Sequence, residues 1–127
     1  MISNNQTIIA IIDDDAGMRE AAESLLSACG YVTETFKSAE AFLSVAATCE
    51  AACLVVDIQL GDGSGLELAR QLIADGYKYR IVFMTGHDNE KVRNQAAAVG
   101  GVDFLCKPFP AKMLLDAVKK ALRQSCQ

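Results

Sequence analysis

Ile8-Ile9-Ala10-Ile11-Ile12-Asp13-Asp14 is a run of apolar residues stopped by two acids. The same figure recurs down the chain. Asp57 closes Cys53-Leu54-Val55-Val56, Thr85 closes Ile81-Val82-Phe83-Met84, and Lys107-Pro108 closes Val102-Asp103-Phe104-Leu105-Cys106. Short apolar runs bounded by turn residues read as strands buried on both faces, the habit of a parallel sheet. If these four run parallel, their C-terminal ends share one edge. That edge then carries three carboxylates, a hydroxyl and an amine. Ligands of open α/β sheets bind at such an edge.

Between these strands the pattern turns helical. A strand at about 7–12 leads to a helix at about 16–29, with Met18, Ala22, Leu25 and Cys29 at helical spacing and Gly30 as its stop. A more alternating strand at about 31–36 suits a sheet edge. Ser38 opens a second helix with Ala39, Phe42, Leu43 and Ala46 inward. The strand at 53–57 precedes the glycine-rich loop Gly61-Asp62-Gly63-Ser64-Gly65. Ser64-x-x-Glu67 there predicts a capping box for a third helix that Gly76 ends. A strand at about 80–85 and a helix at about 89–99 follow. That helix has only Val92, Ala96 and Val99 as its stripe. A strand at about 102–106 and a helix at about 110–124 finish the chain, with Pro110 in the first turn. Met113, Leu114, Ala117, Val118, Ala121 and Leu122 form the predicted buried face. Strand–helix alternation implies right-handed crossovers. The expectation is a single domain over 1–127: α/β, a doubly wound five-stranded parallel sheet of order 2-1-3-4-5, in a flavodoxin-like three-layer sandwich.

Bulk properties agree. At 127 residues the chain can bury a core without staples. A net charge of −4 argues against direct nucleic-acid or anionic-membrane binding. Cys29, Cys49, Cys53, Cys106 and Cys126 are an odd set, expected as free thiols in a reducing cytoplasm. No signal peptide or span of roughly 20 apolar residues is visible. Cys49-x-x-x-Cys53 is half a metal site that no second Cys/His pair completes.

The strand-edge residues define a chemistry together. Alone, an Asp at a strand end is a helix cap or turn former, Thr85 a β-branched strand residue and Lys107 a solvated terminus. Together, Asp13, Asp14 and Asp57 crowd negative charge. Two carboxylates about 4 Å apart repel by roughly 4 kcal/mol at an effective dielectric near 20. Lys107 offsets one charge and a divalent cation two. Hard oxygen ligands with open positions suit Mg²⁺, with Mn²⁺ as its substitute. An ammonium, a hydroxyl and Mg²⁺ around one carboxylate suit a phosphoryl group in transfer, with Asp57 as nucleophile.

These stretches resemble the receiver domain of the two-component response regulator family over essentially the whole chain. The matching segments are Ile11-Ile12-Asp13-Asp14-Asp15, Val55-Val56-Asp57-Ile58, Ser64-Gly65-Leu66-Glu67-Leu68, Met84-Thr85-Gly86 and Lys107-Pro108-Phe109. The resemblance implies that Asp57 accepts a phosphoryl group from a phosphohistidine on a sensor histidine kinase or histidine phosphotransfer protein. It implies Mg²⁺ ligation by Asp14, Asp57 and the Gln59 carbonyl, with Asp13 acting through water. Thr85 and Lys107 would bind phosphoryl oxygens, and Ile58 and Gly86 would line the phosphoryl site. Lys107-Pro108 matches a usually cis bond, and Phe104 the aromatic that switches with Thr85. Gln59 and His87 match positions that tune phosphoryl lifetime. His87 also reads as an exposed loop residue. Phe104 lacks the hydroxyl of the commoner tyrosine, so its switching must rest on packing. Gly61 stands where the family commonly has proline.

The resemblance makes the chain a signalling phosphoacceptor rather than a turnover enzyme. Output passes to an unknown partner or to a missing C-terminal output domain, with a phosphorylation-dependent homodimer as one form. Ser38-Ala39-Glu40-Ala41-Phe42-Leu43 and Thr85-Gly86-His87 resemble receivers that precede DNA-binding domains in regulators of the nitrogen-fixation type. Three rivals remain. A haloacid dehalogenase-type phosphatase would use Asp13 as nucleophile through Asp13-x-Asp15, leaving Asp57 unexplained. Gly61-x-Gly63-x-Gly65 imitates a dinucleotide fingerprint but has Leu66 where its third glycine falls. A phosphorylation-independent interaction module on the same fold would not need the intact acidic set.

Overall fold

The apolar runs that end at Asp13, Asp57 and Thr85 become strands buried on both faces, whereas the run that ends at Lys107 becomes a mostly half-buried strand at the sheet edge, where no further strand or helix covers it fully. The computed structural model describes residues 7–60 and 63–124; Gly61, Asp62 and Cys126 lie outside them. The order is β1 (Ile8–Ile12), α1 (Ala16–Ala28), β2 (Val32–Phe36), α2 (Ala39–Leu43), β3 (Cys53–Asp57), β4 (Gln59–Leu60), β5 (Gly63–Ser64), α3 (Gly65–Ala74), β6 (Ile81–Thr85), α4 (Glu90–Ala98), β7 (Gly101–Cys106) and α5 (Ala111–Gln124). Five strands form one parallel sheet, β2-β1-β3-β6-β7. With the short antiparallel β4–β5 ladder set apart, this is the 2-1-3-4-5 order expected from the sequence.

Period-two alternation splits the core into two halves. Ala10, Ile12, Leu54, Val56, Ile81 and Phe83 face Phe42, Leu68, Leu72 and Ala96 from α2, α3 and α4. Ile9, Ile11, Cys53, Val55, Val82 and Met84 face Ala22, Leu26, Leu114, Ala117 and Val118 from α1 and α5. Extending the alternation to the strand ends separates the polar side chains there. Asp13 and Asp57 continue the α1/α5 parity, while Thr85 continues the α4 parity of Ile81 and Phe83. Phe104 packs against the α4-side core.

Helix ends follow local chemistry. Asp15 caps α1, accepting from Gly17 N and Met18 N; Ser38, Ser64 and Asn89 cap α2, α3 and α4. Gly30, Gly76 and Gly100 follow α1, α3 and α4 with φ of 96°, 88° and 82°, the left-handed stop that glycine adopts freely. The capping box at α3 is half formed. Ser64 Oγ accepts from Leu66 N at 3.0 Å, but Glu67 pairs with Arg70 instead of turning back.

The structure corrects three placements on the helices. Cys29 is exposed, and Leu26 fills the core place beneath α1. Met113 is 47% exposed, because the inward arc of α5 begins at Leu114. α2 is a short turn of helix, and Ala46 reaches the core from the turns beyond it. Tyr79 Oη pins that irregular stretch by sharing its single hydrogen between Ala46 O at 2.8 Å and Cys49 O at 3.0 Å.

Candidate phosphoacceptor site

The sheet gathers its polar residues at one edge. Asp13 is fully buried and Asp57 is 5% exposed, whereas Asp14 is exposed. One carboxylate oxygen from each lies within 4.8 Å of the others. Lys107 reaches over from the end of β7. Its Nζ donates to Asp57 Oδ2 at 2.9 Å and to Asp13 Oδ2 at 3.0 Å. The lysine therefore bridges two carboxylates instead of neutralising one. The Lys107–Pro108 peptide is cis.

Each carboxylate is held from behind as well. Asp13 Oδ1 accepts from Asp15 N at 3.0 Å, and Arg19 Nη1 donates to the Asp13 carbonyl at 2.8 Å. Asp57 Oδ1 accepts from Gln59 N at 3.0 Å. Burial pushes the Asp57 carboxyl up. Its hydrogen bond from Lys107 opposes this, and the Asp13 charge adds to the rise. Burial works against the Lys107 ammonium, but hydrogen bonds to Asp57 and Asp13 outweigh it and hold the pKa above the ordinary lysine value. Gly65 lets α3 start against the backbone of Asp57, since a Cβ there would strike the Asp57 carbonyl and Val56.

The end of β6 forms a second cluster. Thr85 is fully buried, and its hydroxyl donates to Gln59 Oε1 at 2.8 Å while accepting from His87 N at 3.0 Å. Gly86 N also donates to Gln59 Oε1, at 3.3 Å. His87 is exposed, and a Cβ at Gly86 would meet open space. Ile58 is buried, with its N–H on Met84 O at 2.8 Å. Phe104 is half-buried beneath the Arg93 guanidinium, 4.9 Å from the ring centroid. Arg93 is anchored by a two-pronged pair with Asp88, at 2.6 and 2.9 Å. Arg93 did not stand out in the sequence, and Gln59 stood out only by resemblance, without its side-chain contacts to Thr85 and Gly86. Both act through contacts made far along the chain, which no periodicity signals.

The acidic set fits a hard divalent cation. Three carboxylates against one ammonium leave excess negative charge, and Asp14 is exposed, open to further ligands. Among the described residues this is also the one cluster of acids, cysteines or histidines close enough to hold a metal. Cys49 and Cys53 do not contribute to any. Cys53 is buried, its thiol pushed up to about 12 by burial, and Cys49 Sγ approaches Glu34 at 3.6 Å. Cys29, Cys49, Cys53 and Cys106 are free thiols.

A doubly wound parallel sheet with a buried aspartate, a bridging lysine and a strand-end threonine at its C-terminal edge defines a phosphoacceptor class of site. The family model of the response regulator receiver domain matches residues 9–119, and the chain belongs to that family, the phosphoacceptor domains of two-component signalling. It is 36% identical over 126 residues to the response regulator protein TodT of Pseudomonas putida, covering 99% of this chain and 56% of TodT. It is 35% identical over 117 residues to the transcriptional regulatory protein FixJ of Bradyrhizobium diazoefficiens, covering 92% of this chain and 57% of FixJ. The chain thus spans little more than half the length of these relatives. Its fold is similar to the crystal structure of FixJ-N, with a TM-score of 0.86 and 31% identity over 92% of this chain and 94% of that one. Full-length FixJ from B. japonicum gives a TM-score of 0.87 at 34% identity, over 94% of this chain and 59% of that one. Among the described residues no helix is long and apolar enough to cross a membrane.

Proposed function

We propose that residues 1–127 act as one receiver unit in which Asp57 takes a phosphoryl group from a phosphohistidine of a sensor histidine kinase or phosphotransfer protein. The observation that carries this reading is the Lys107 ammonium, 2.9 Å from Asp57 Oδ2 and 3.0 Å from Asp13 Oδ2. In the transfer an Asp57 oxygen forms a bond to phosphorus. The phosphorus–nitrogen bond of the donor breaks, and its electron pair stays on the imidazole. Charge on the incoming phosphoryl oxygens then needs cationic and hydrogen-bonding partners placed beforehand. Lys107 supplies an ammonium that is already partly buried and aimed. Thr85 and Gly86 supply an O–H and an N–H at the neighbouring strand end. Burial and Asp13 make the ionised Asp57 more basic, which favours attack, while Lys107 keeps it from being overly so.

Asp14, Asp57 and the Gln59 carbonyl would hold Mg²⁺ or Mn²⁺, with Asp13 reaching it through water. Bound there, the ion supplies charge neutralisation for phosphoryl oxygens. The donor protein docks beside the site, where Met18, Leu25, Pro108, Phe109 and Leu114 line a cavity of about 510 Å³ between α1 and α5. Output passes through the α4–β7–α5 face, since Thr85 and Phe104 lie on the α4 side of the sheet. It goes to a partner, a second copy or a C-terminal output domain.

The test is covalent labelling with acetyl phosphate. In Mg²⁺ the protein should gain one phosphoryl group that hydroxylamine or alkali removes, as expected of an acyl phosphate. Asp57→Asn should abolish it. Labelling at the normal rate in that variant would place the nucleophile elsewhere, and loss of labelling in Asp13→Ala while Asp57→Asn still labels would place it at Asp13.

A further inference from the structure

We infer that the side-chain amide oxygen of Gln59 occupies the seat of a phosphoryl oxygen, and that it must leave Thr85 and Gly86 before the modified Asp57 can engage them. This deepens the phosphoacceptor reading and rests on it. The geometry is that of an internal ligand. Gln59 Oε1 accepts from Thr85 Oγ1 at 2.8 Å and from Gly86 N at 3.3 Å. The same residue's backbone N–H donates to Asp57 Oδ1 at 3.0 Å. One residue therefore touches both the nucleophile and the two donors that end β6.

Donor counting makes the competition unavoidable. A threonine hydroxyl has one hydrogen to give. Thr85 already uses one lone pair for His87 N, at 3.0 Å, and its only hydrogen for Gln59. A phosphoryl oxygen arriving at Asp57 can take that hydrogen only if Gln59 releases it. Release is cheap, because Gln59 is exposed and its amide can exchange these bonds for water. The contact is thus a reversible threshold. It holds Thr85 in place in the unmodified protein and yields to a stronger, anionic acceptor. It also determines which state the α4 side reads, since Thr85 follows the α4 parity of β6.

A site filled by its own side chain most of the time binds an outside ligand more weakly, in proportion to the fraction left open. If Gln59 is seated about nine-tenths of the time, the loss is about tenfold.

The test compares Gln59→Leu, which keeps the backbone N–H but is one atom shorter and has no acceptor, with Gln59→Glu. Beryllofluoride with Mg²⁺ serves as the phosphoryl probe and is titrated by amide NMR. Gln59→Leu should bind it roughly three- to tenfold more tightly, and Gln59→Glu more weakly, since a carboxylate grips Thr85 harder and repels the probe. In the absence of probe, the Gly86 amide proton should move upfield in Gln59→Leu as its acceptor is lost. Equal beryllofluoride affinity in wild type and Gln59→Leu, or an unmoved Gly86 amide, overturns the inference. If the wild type takes neither beryllofluoride nor a phosphoryl label, the phosphoacceptor reading fails instead, and the Gly86 amide still reports whether the amide oxygen sits in the seat.

Discussion

Replacing Asp57 by asparagine should make the metal-free protein more stable, although it deletes half of the Lys107 bridge. The pairwise charges nearly cancel. Asp13, within 4.8 Å, repels Asp57 by about 3.5 kcal/mol at an effective dielectric of 20. Asp14 is exposed, so its repulsion is screened to about 1 kcal/mol. Lys107, 2.9 Å away, attracts it by about 6 kcal/mol on the same scale. Burial of the carboxylate then decides the sign, and it is the leading cause of the raised Asp57 pKa. Asparagine removes the charge and keeps an oxygen for Gln59 N, while Lys107 retains Asp13. The expected gain is about 1–2 kcal/mol, or a melting temperature about 4–8 °C higher in EDTA. Mg²⁺ at about 100 times its dissociation constant stabilises the wild type by about 2.7 kcal/mol. The order of stability should therefore reverse when Mg²⁺ is added. Acid should narrow the difference in EDTA. An acid whose folded pKa is raised favours folding below its unfolded pKa and loses that contribution as pH rises through the folded value. Calorimetry of both proteins, in EDTA and in Mg²⁺, between pH 4 and 7, reads all of this. An Asp57→Asn protein that melts below the wild type in EDTA would show that the Lys107 pair outweighs burial, and the reasoning fails.

Tyr79→Phe should destabilise by about 1–2 kcal/mol in urea unfolding, because two backbone carbonyls after α2 lose their donor. Burial holds the Tyr79 phenol up at about 12, so wild-type stability should fall as pH climbs from about 10 toward about 12, where the unfolded chain loses a proton the folded one keeps; Tyr79→Phe should flatten that fall. Gly65→Ala should destabilise by about 1–3 kcal/mol through overpacking against the Asp57 carbonyl, and the acetyl-phosphate labelling rate should drop with it; normal rate and stability would show that α3 can back away. Thr85→Ala should leave Asp57 labelled while weakening the amide-shift response at Phe104 and α4 to beryllofluoride; an undiminished response would route the signal around Thr85.

The apolar runs closed by Asp13, Asp57, Thr85 and Lys107, with helical patterns between them, came close to deciding the architecture. An apolar run flanked by turn chemistry is a local property, and strands buried on both faces admit few arrangements once helices alternate with them. The location of Asp13, Asp14, Asp57, Thr85 and Lys107 at strand ends was legible for the same reason. The phase of each helix was less so. Cys29 and Met113 match the spacing of their stripes yet fall outside the arc the sheet covers, because a period of 3.6 over a few turns tolerates a shift at either end. Tertiary structure alone determined the pairings. Lys107 meets Asp57 and Asp13 across 50 and 94 residues, through the register that sets β7 beside β6 and β3 beside β1. The Gln59 amide on Thr85 and Gly86, and Arg93 over Phe104, arise likewise where separate loops converge on one edge. Residue type and local period place a side chain on an element; only the packing of the elements decides which other side chain it faces.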